Sequence, residues 1–427
     1  MPMAIVGEGE SQLFGPIAGP RRLLHFGFAT SADAAAADRA RLEALCISLG
    51  QPTPRPDLKH HQVDLGDARL HWEQQNEFTA YTWEVAGVGS PFSTSAGARS
   101  SAMRLVERPG ALLVSIDLHV MPGAAGIQLD QIFGGTQVAV SRLEGGAAIV
   151  ATDFRPDEEG FVRILISHAN LSPARAGAIV QRLLEIETYR ALALLGPPEA
   201  QRLDPIVKSA ENALTRITQS MTQVRGPNAD RGLLEEITGL AATLEQESTN
   251  SAHRFGATRA YDKMVQQRLE SLGEQTVPGF PTFAALLARR LGPPMLSCQI
   301  IEERMKTLAE RLDRATELLR TRTNVQIEHQ NRDLMTAMTE RSRLQLRLQH
   351  VIEFVALAAV SYYFVALVQF VFQGIAGDKL LLKVGERLGM PINLDSNFLT
   401  AVAVPIVFLV VWFLLRRIRK KHAERQW

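Results

Sequence analysis

Hydrophobic and polar positions change their period three times along this chain. Between Ala68 and His168 the pattern favours strands. Ala68–Gln75 and Phe78–Val85 are rich in aromatic and β-branched residues. Ala111–Val120 alternates, with Leu112, Val114, Ile116, Leu118 and Val120 on one face and Leu113, Ser115, Asp117 and His119 on the other. Thr136–Leu143 and Ala147–Phe154 flank Glu144-Gly145-Gly146, a hairpin signal, and Pro156–Gly160 turns the chain into Phe161–His168. These runs predict a mainly antiparallel sheet of about five or six strands.

From Ser172 onward the period becomes helical. Ser172-Pro173 supplies an N-cap followed by proline at the first helical position, and Gly196-Pro197-Pro198 ends that helix. Further helices are expected over Gln201–Val224, Arg231–Ser248, His253–Ser271 and Pro281–Leu291, with Gly292-Pro293-Pro294 as a break. Strands followed by helices, without alternation between them, indicate an α+β domain. Residues 1–60 are poorly defined: Pro16, Pro20, Pro52, Pro54 and Pro56 punctuate them, and only Ser31–Leu49 reads as a helix.

Cys298–Phe372 contains no proline or glycine, so a single stalk helix can run from the folded body into the apolar C-terminal region. Ile301, Met305, Leu308, Leu312, Ala315 and Leu319 step by four and three, a heptad seam. A second seam, offset by one residue, runs Leu344, Leu348, Val351, Val355, Ala358, Tyr362, Val365, Gln369 and Phe372. Such seams serve either packing within one chain or self-association of several copies.

The third pattern is continuous. Phe354–Phe372 is 19 residues without a charge and Phe398–Leu415 is 18. As helices they are about 27 to 29 Å long, near the thickness of a bilayer's hydrocarbon core. A two-helix transmembrane hairpin is therefore expected, with Pro405 as a kink in its second span. Asp378–Met390, in the connection, has an amphipathic look, and Pro391 ends it.

Charge then orients the hairpin. Arg341, Arg343 and Arg347 precede the first span, and Arg416, Arg417, Arg419, Lys420, Lys421 and Arg425 follow the second, against Lys379, Lys383 and Arg387 between them. Basic residues concentrate on the cytoplasmic side, which puts both termini in the cytoplasm and the connection outside. Arg416, Arg417, Arg419, Lys420 and Lys421 are expected to anchor on anionic lipid rather than nucleic acid. The formal charge of the whole, +1, is a cancellation: Arg416–Trp427 carries +5 and the preceding 415 residues −4. Two cysteines, Cys46 and Cys298, make no disulfide framework. No secretory signal is recognisable in Met1–Glu10.

Candidate chemistry is sparse. Ala86–Gly89 and Pro122–Gly126 lack the Lys-Ser/Thr of a phosphate loop, and no nucleophile-elbow, zincin or paired-cysteine motif occurs, so no catalytic residue and no cofactor are assigned and the chain is not expected to be an enzyme. Asp117 with His119, and His71 with Glu73, are two apart on predicted strands and share a face, a weak divalent-cation pairing against the plainer reading of a solvated or helix-covered face. Glu185, Glu187, Tyr189 and Arg190 lie within two helical turns, where i,i+3 ion pairs are the simplest account. Tyr362 and Gln369 are seven apart on one face of the first span and are candidate pore-facing residues.

Several segments resemble a known family. Trp72-Glu73, Glu77-Phe78, Tyr81-Thr82-Trp83, Gln181–Arg190, Asn331–Leu334, Leu344–Gln349 and Ser361-Tyr362-Tyr363 are similar to the bacterial membrane-anchored family called domain of unknown function 3422. The resemblance covers about residues 60 to 420. The first 60 residues depart from the His-Ala-Arg-Pro pattern of that family. It implies a membrane protein and supplies no reaction. A looser architectural similarity is to the CorA class of divalent-cation channels, which places Gly-Met-Asn directly after its first span. Here Gln373-Gly374-Ile375 stands there instead, and Gly389-Met390-Pro391 comes later.

The expected organisation is an N-terminal segment (1–60), a cytoplasmic α+β domain (61–295), a stalk helix (296–350), the transmembrane hairpin (351–420) and a basic tail (421–427). The expected function is that of a homo-oligomeric inner-membrane protein, with ion conduction of the CorA kind as its most specific form. The alternative is a membrane-tethered scaffold or sensor that binds a protein partner, for which the spans are only an anchor.

Overall fold

The computed structural model describes residues 14–86, 91–92, 107–123, 129–135, 137–223, 226–376 and 396–423. The amphipathic segment Asp378–Met390, most of both glycine-containing pieces, Met1–Glu10 and Arg425 lie outside them. The chain divides into two units, Met1–Arg320 and Thr321–Trp427.

The first unit opens with β1 (Arg21–Ala29) and α1 (Ala32–Ser48), followed by β2 (His60–Asp64), β3 (Ala68–Gln74), β4 (Phe78–Ala86) and β5 (Ala111–Pro122). A short α2 (Leu129–Phe133) leads to β6 (Ala139–Leu143), β7 (Ala148–Pro156) and β8 (Val162–His168). Three helices come next, α3 (Pro173–Ala193), α4 (Gly196–Gln223) and α5 (Pro227–Leu272), then the two-residue β9 (Gln275–Thr276). The long α6 (Phe283–Ala376) begins in this unit, and α7 (Ser396–Ala423) belongs to the second.

All the described strands form one sheet of nine, in the order β2-β3-β4-β1-β5-β8-β7-β6-β9. This exceeds the five or six strands expected. Every neighbouring pair is antiparallel except β5 with β8, where two antiparallel blocks join in parallel. The turn between β6 and β7 is Glu144–Gly146, and Gly145 takes φ +66°, a left-handed conformation that costs glycine little.

Three strands are absent from the sequence expectation, β1, β2 and β9; of these β1 lies mid-sheet between β4 and β5, while β2 and β9 are the two edges. The β1 sequence RRLLHFGFA does not alternate because both faces are covered. Leu23 joins the core that α3 builds on one face, with Ile116, Leu118, Ile179 and Leu183. Leu24, Phe26 and Phe28 join Leu42 and Cys46 of α1 in the core on the other. Gly27 permits a close approach: a Cβ there would stand 2.9 Å from Val114 Cγ1. Ser31 caps α1 by accepting from the Ala34 amide, and Ser172 caps α3 by accepting from the Arg175 amide, with Pro173 at its first turn.

The helical region is less broken than its prolines and polar gaps suggest. Arg231–Ser248 and His253–Ser271 are parts of the single helix α5, and Pro293 and Pro294 lie inside α6. Packing accounts for the second case. Leu286, Leu287 and Leu291 before the prolines and Met295 after them enter the same core, which holds the path where two amide donors are missing. The first heptad seam is filled from within the chain. Ile301, Met305, Leu308, Leu312, Ala315 and Leu319 pack with Leu203, Val207, Leu214 and Ile217 of α4 and Ile237, Leu244 and Phe255 of α5. Arg304 reaches Glu211 and Asp204 of α4 alongside.

In the second unit, α6 is long and apolar enough over its C-terminal part to cross a membrane, and Ala401–Leu414 is a shorter apolar helical stretch. Pro405 lies inside α7 without ending it.

Candidate functional site in the cleft between sheet and helix

One narrow cleft gathers three of the segments that carry the family resemblance, those containing Glu73, Phe78 and Gln181–Tyr189. It lies between the face of β1, β3 and β4 and the helix α3, and its walls include His25, Glu73, Phe78, Gln181, Glu185, Thr188 and Tyr189. Three strands and one helix position these groups by elementary periodicity. Glu73 projects from β3 on the same face as His71 two residues before it, and Gln181, Glu185 and Thr188 recur every four and three residues along α3.

The hydrogen bonds of His25 assign its tautomer. Thr188 donates its hydroxyl hydrogen to the Leu184 carbonyl at 2.8 Å, so its oxygen must accept from His25 Nε2 at 3.0 Å. Nδ1 is then the acceptor for the Thr82 hydroxyl at 2.8 Å. The ring is neutral, and burial lowers its pKa to about 3.

Two carboxylates face the cleft in different settings. Glu185 is held by Arg268 Nε at 2.5 Å and by the Gln181 amide at 2.9 Å. Glu73 accepts from the Gln75 amide at 2.8 Å, and burial, with the Glu185 charge adding to it, raises its pKa. Tyr189 stacks on Tyr261 with centroids 5.9 Å apart and meets the edge of Phe78, and burial followed by the Glu185 and Glu73 charges pushes its hydroxyl pKa up. The arrangement can take up a proton at Glu73 more readily than an exposed glutamate would.

The other sequence candidates separate from this cleft. Arg190 pairs with Glu187, Nε to Oε2 at 2.8 Å, as the i,i+3 spacing suggests. Asp117 and His119 are brought together on β5, with Nε2 3.2 Å from Oδ1 though not aligned as a hydrogen bond, and both are buried. A guanidinium already serves Asp117: Arg22 donates through Nε at 3.0 Å and Nη2 at 2.8 Å. Burial alone would raise the Asp117 pKa, but His119 and Arg22 beside it hold it well below the carboxylate range. A divalent ion would have to compete with that guanidinium. Among the described residues no group of three or more His, Cys, Asp or Glu is poised around one point for a metal. His71 contacts Glu84 rather than Glu73, Nε2 to Oε2 at 3.1 Å.

In the second unit Tyr362 is 72% exposed and Gln369 partly buried. Arg416 and Arg417 are exposed, with the Arg416 guanidinium over the Trp412 ring at 5.1 Å. Arg419, Lys420 and Lys421 follow in the same helix.

Sequence reading missed His25, Thr188, Arg22 and Arg268. The only local signals were a histidine and an arginine inside an apolar run, and their partners lie 57 to 163 residues away.

These features define a class: a mixed-sheet body with flanking helices, joined by α6 to an apolar C-terminal unit. The chain belongs to the family described as protein of unknown function (DUF3422), whose model matches residues 3–422. The match includes the N-terminal segment that departs from the expected pattern. No curated protein and no solved structure matches the chain.

Proposed function

We propose that the chain is an integral protein of the bacterial inner membrane that holds a cytoplasmic sheet-and-helix body at the bilayer through two spans, 354–372 in α6 and 398–415 in α7. One observation carries this reading: the most apolar 18-residue stretch of α6 is only 6% buried within the protein. Phe354, Tyr362 and Phe370 are each at least 70% exposed. In water each large apolar side chain left uncovered would forgo about 1.5 to 3 kcal/mol, and lipid removes that loss. Nine basic residues flanking the spans outside the connection, against three within it, favour cytoplasmic termini. Arg416 over Trp412 has the form of an interfacial anchor for anionic lipid. Membranes washed with alkaline carbonate test the reading. The full chain is expected in the pellet, and release into the supernatant would falsify it.

A second reading, conduction of a divalent cation in the manner of CorA channels, is favoured by Tyr362 and Gln369, polar groups placed one heptad apart at membrane depth. Purified protein in vesicles loaded with a cation-sensitive dye decides it: uptake that changes in Gln369→Leu supports conduction, and no uptake leaves only the membrane-tethered body, free to bind a protein partner.

A further inference from the structure

We infer that the membrane-proximal part of α6 is a self-association surface, on which a second copy of this chain packs in parallel and in register along the seam from Leu344 to Gln369. The inference rests on the membrane reading and adds the partner and the contact face to it.

The two seams of α6 meet different fates. The first is buried against α4 and α5, with Leu312 at 1% and Leu319 at 0% exposure. The second keeps the same four-and-three spacing and is exposed from Leu344 to Tyr362, with Leu344, Leu348 and Val351 59 to 62% exposed, while Val365 and Gln369 are partly buried. These three precede the uncharged stretch, so lipid does not explain them. From Leu344 to Gln369 the seam carries no charge, while Arg343, Arg347, His350 and Glu353 all fall off it. A 3.5-residue repeat drifts around a straight helix and stays on one line only when another helix winds with it, so the spacing itself calls for a helical partner. Among the described residues of the second unit the other helix is α7, and it leaves Tyr362 72% exposed.

A second copy meets the requirement for a geometric reason. Copies inserted in one bilayer share an orientation and a depth, so each presents Leu344, Leu348 and Val351 at the same height and Gln369 at the same level inside. Parallel, in-register contact is the arrangement that insertion makes easiest. It also gives the Gln369 amide a partner amide in lipid, where polar groups favour helix association by hydrogen bonding.

Site-directed disulfide formation tests this on the full chain in its native membranes. Leu348→Cys and Val351→Cys lie on the seam, and Leu346→Cys and Gln349→Cys lie off it. The unsubstituted chain is the blank, because Cys46 and Cys298 are buried. Copper-catalysed oxidation is expected to give several-fold more dimer at 348 and 351 than at 346 and 349. Equal yields, a reversed preference, or no dimer at any position would overturn the inference. Carbonate extraction of the same membranes keeps the two readings apart: a chain that stays in the pellet without cross-linking loses only the association, and one that washes off loses the anchor. With Leu348→Cys as reporter, Gln369→Leu should lower the dimer yield several-fold, and an unchanged yield would remove Gln369 from the contact.

Discussion

His25 shows how one side chain can make the folded body sensitive to acid. It is neutral in the folded state with a pKa near 3, whereas an unfolded chain binds that proton at about 6.5. Between those values the unfolded state holds the extra proton, so stability falls as pH falls, by at most about 1.4 kcal/mol per pH unit. Burial lowers the His61 pKa as well and adds in the same direction. Asp117 and Glu84, whose pKa values are depressed, contribute stability at neutral pH and lose it only on the acid side of the ordinary carboxylate pKa, near 4. Glu73 and Asp38, whose pKa values burial raises, act in the opposite direction. The test is therefore the difference between wild type and His25→Gln in urea unfolding of the detergent-solubilised chain between pH 6.5 and 4.5, followed by the emission of buried Trp72 and Trp83. The wild-type midpoint should fall relative to the variant's as pH drops, even if the variant starts lower, and a difference that stays constant with pH would refute the assignment. Asp38 is the second sensitive residue. On the buried face of α1, it accepts from the Trp72 indole at 2.9 Å and the Tyr81 hydroxyl at 2.7 Å. Asp38→Ala strands both donors and should cost about 2 to 4 kcal/mol in the same assay, with Asp38→Asn costing less because one acceptor oxygen remains.

At the level of elements, the two halves of α6 make opposite demands. Leu312→Ala opens a cavity among α4, α5 and α6 and should destabilise the first unit by about 2 to 5 kcal/mol. Leu348→Ala removes an exposed side chain and should leave that unfolding unchanged while weakening association. Equal effects of the two on unfolding would contradict the division of the seams. The periodicity of α6 is readable from the spacing of its apolar residues alone, but which seam finds a partner inside the chain is not, since that depends on where α4 and α5 lie. The same limit explains the other differences. β5 could be placed within a residue or two by its alternation, and β3 and β4 by their aromatic and β-branched residues. β1 could not, because a strand covered by α1 on one side and α3 on the other loses its alternation. Pro293 and Pro294 look like a stop when only local backbone rules apply, and burial of Leu291 and Met295 in one core overrides them. In the cleft, Glu185 and Tyr189 were legible as members of one cluster because they share a helix, whereas Arg268 and His25 arrive from distant parts of the chain.

For the whole molecule, the distribution of charge is the feature that decides orientation. If the two apolar stretches span the membrane, a connection bearing Lys379, Lys383 and Arg387 is carried across, and nine basic residues stay behind. Five of the nine are contiguous enough to be altered together: Arg416, Arg417, Arg419, Lys420 and Lys421. Replacing all five by glutamine leaves four basic residues against three and removes most of the bias that fixes orientation. Each lost cation also forfeits on the order of 1 kcal/mol of attraction to an anionic leaflet. The wild-type chain with alkaline phosphatase fused after Trp427 should be inactive, because that enzyme matures only outside the cytoplasm. The five-fold glutamine variant should give measurable phosphatase activity in a fraction of molecules, while a fusion placed in the connection, after Lys383, should be active in the wild type. Equal activity at the two wild-type fusion points would mean that the hairpin topology is wrong. An unchanged inactive C-terminal fusion in the glutamine variant would show instead that Arg341, Arg343 and Arg347, next to the first span and its folded body, are sufficient to set the orientation.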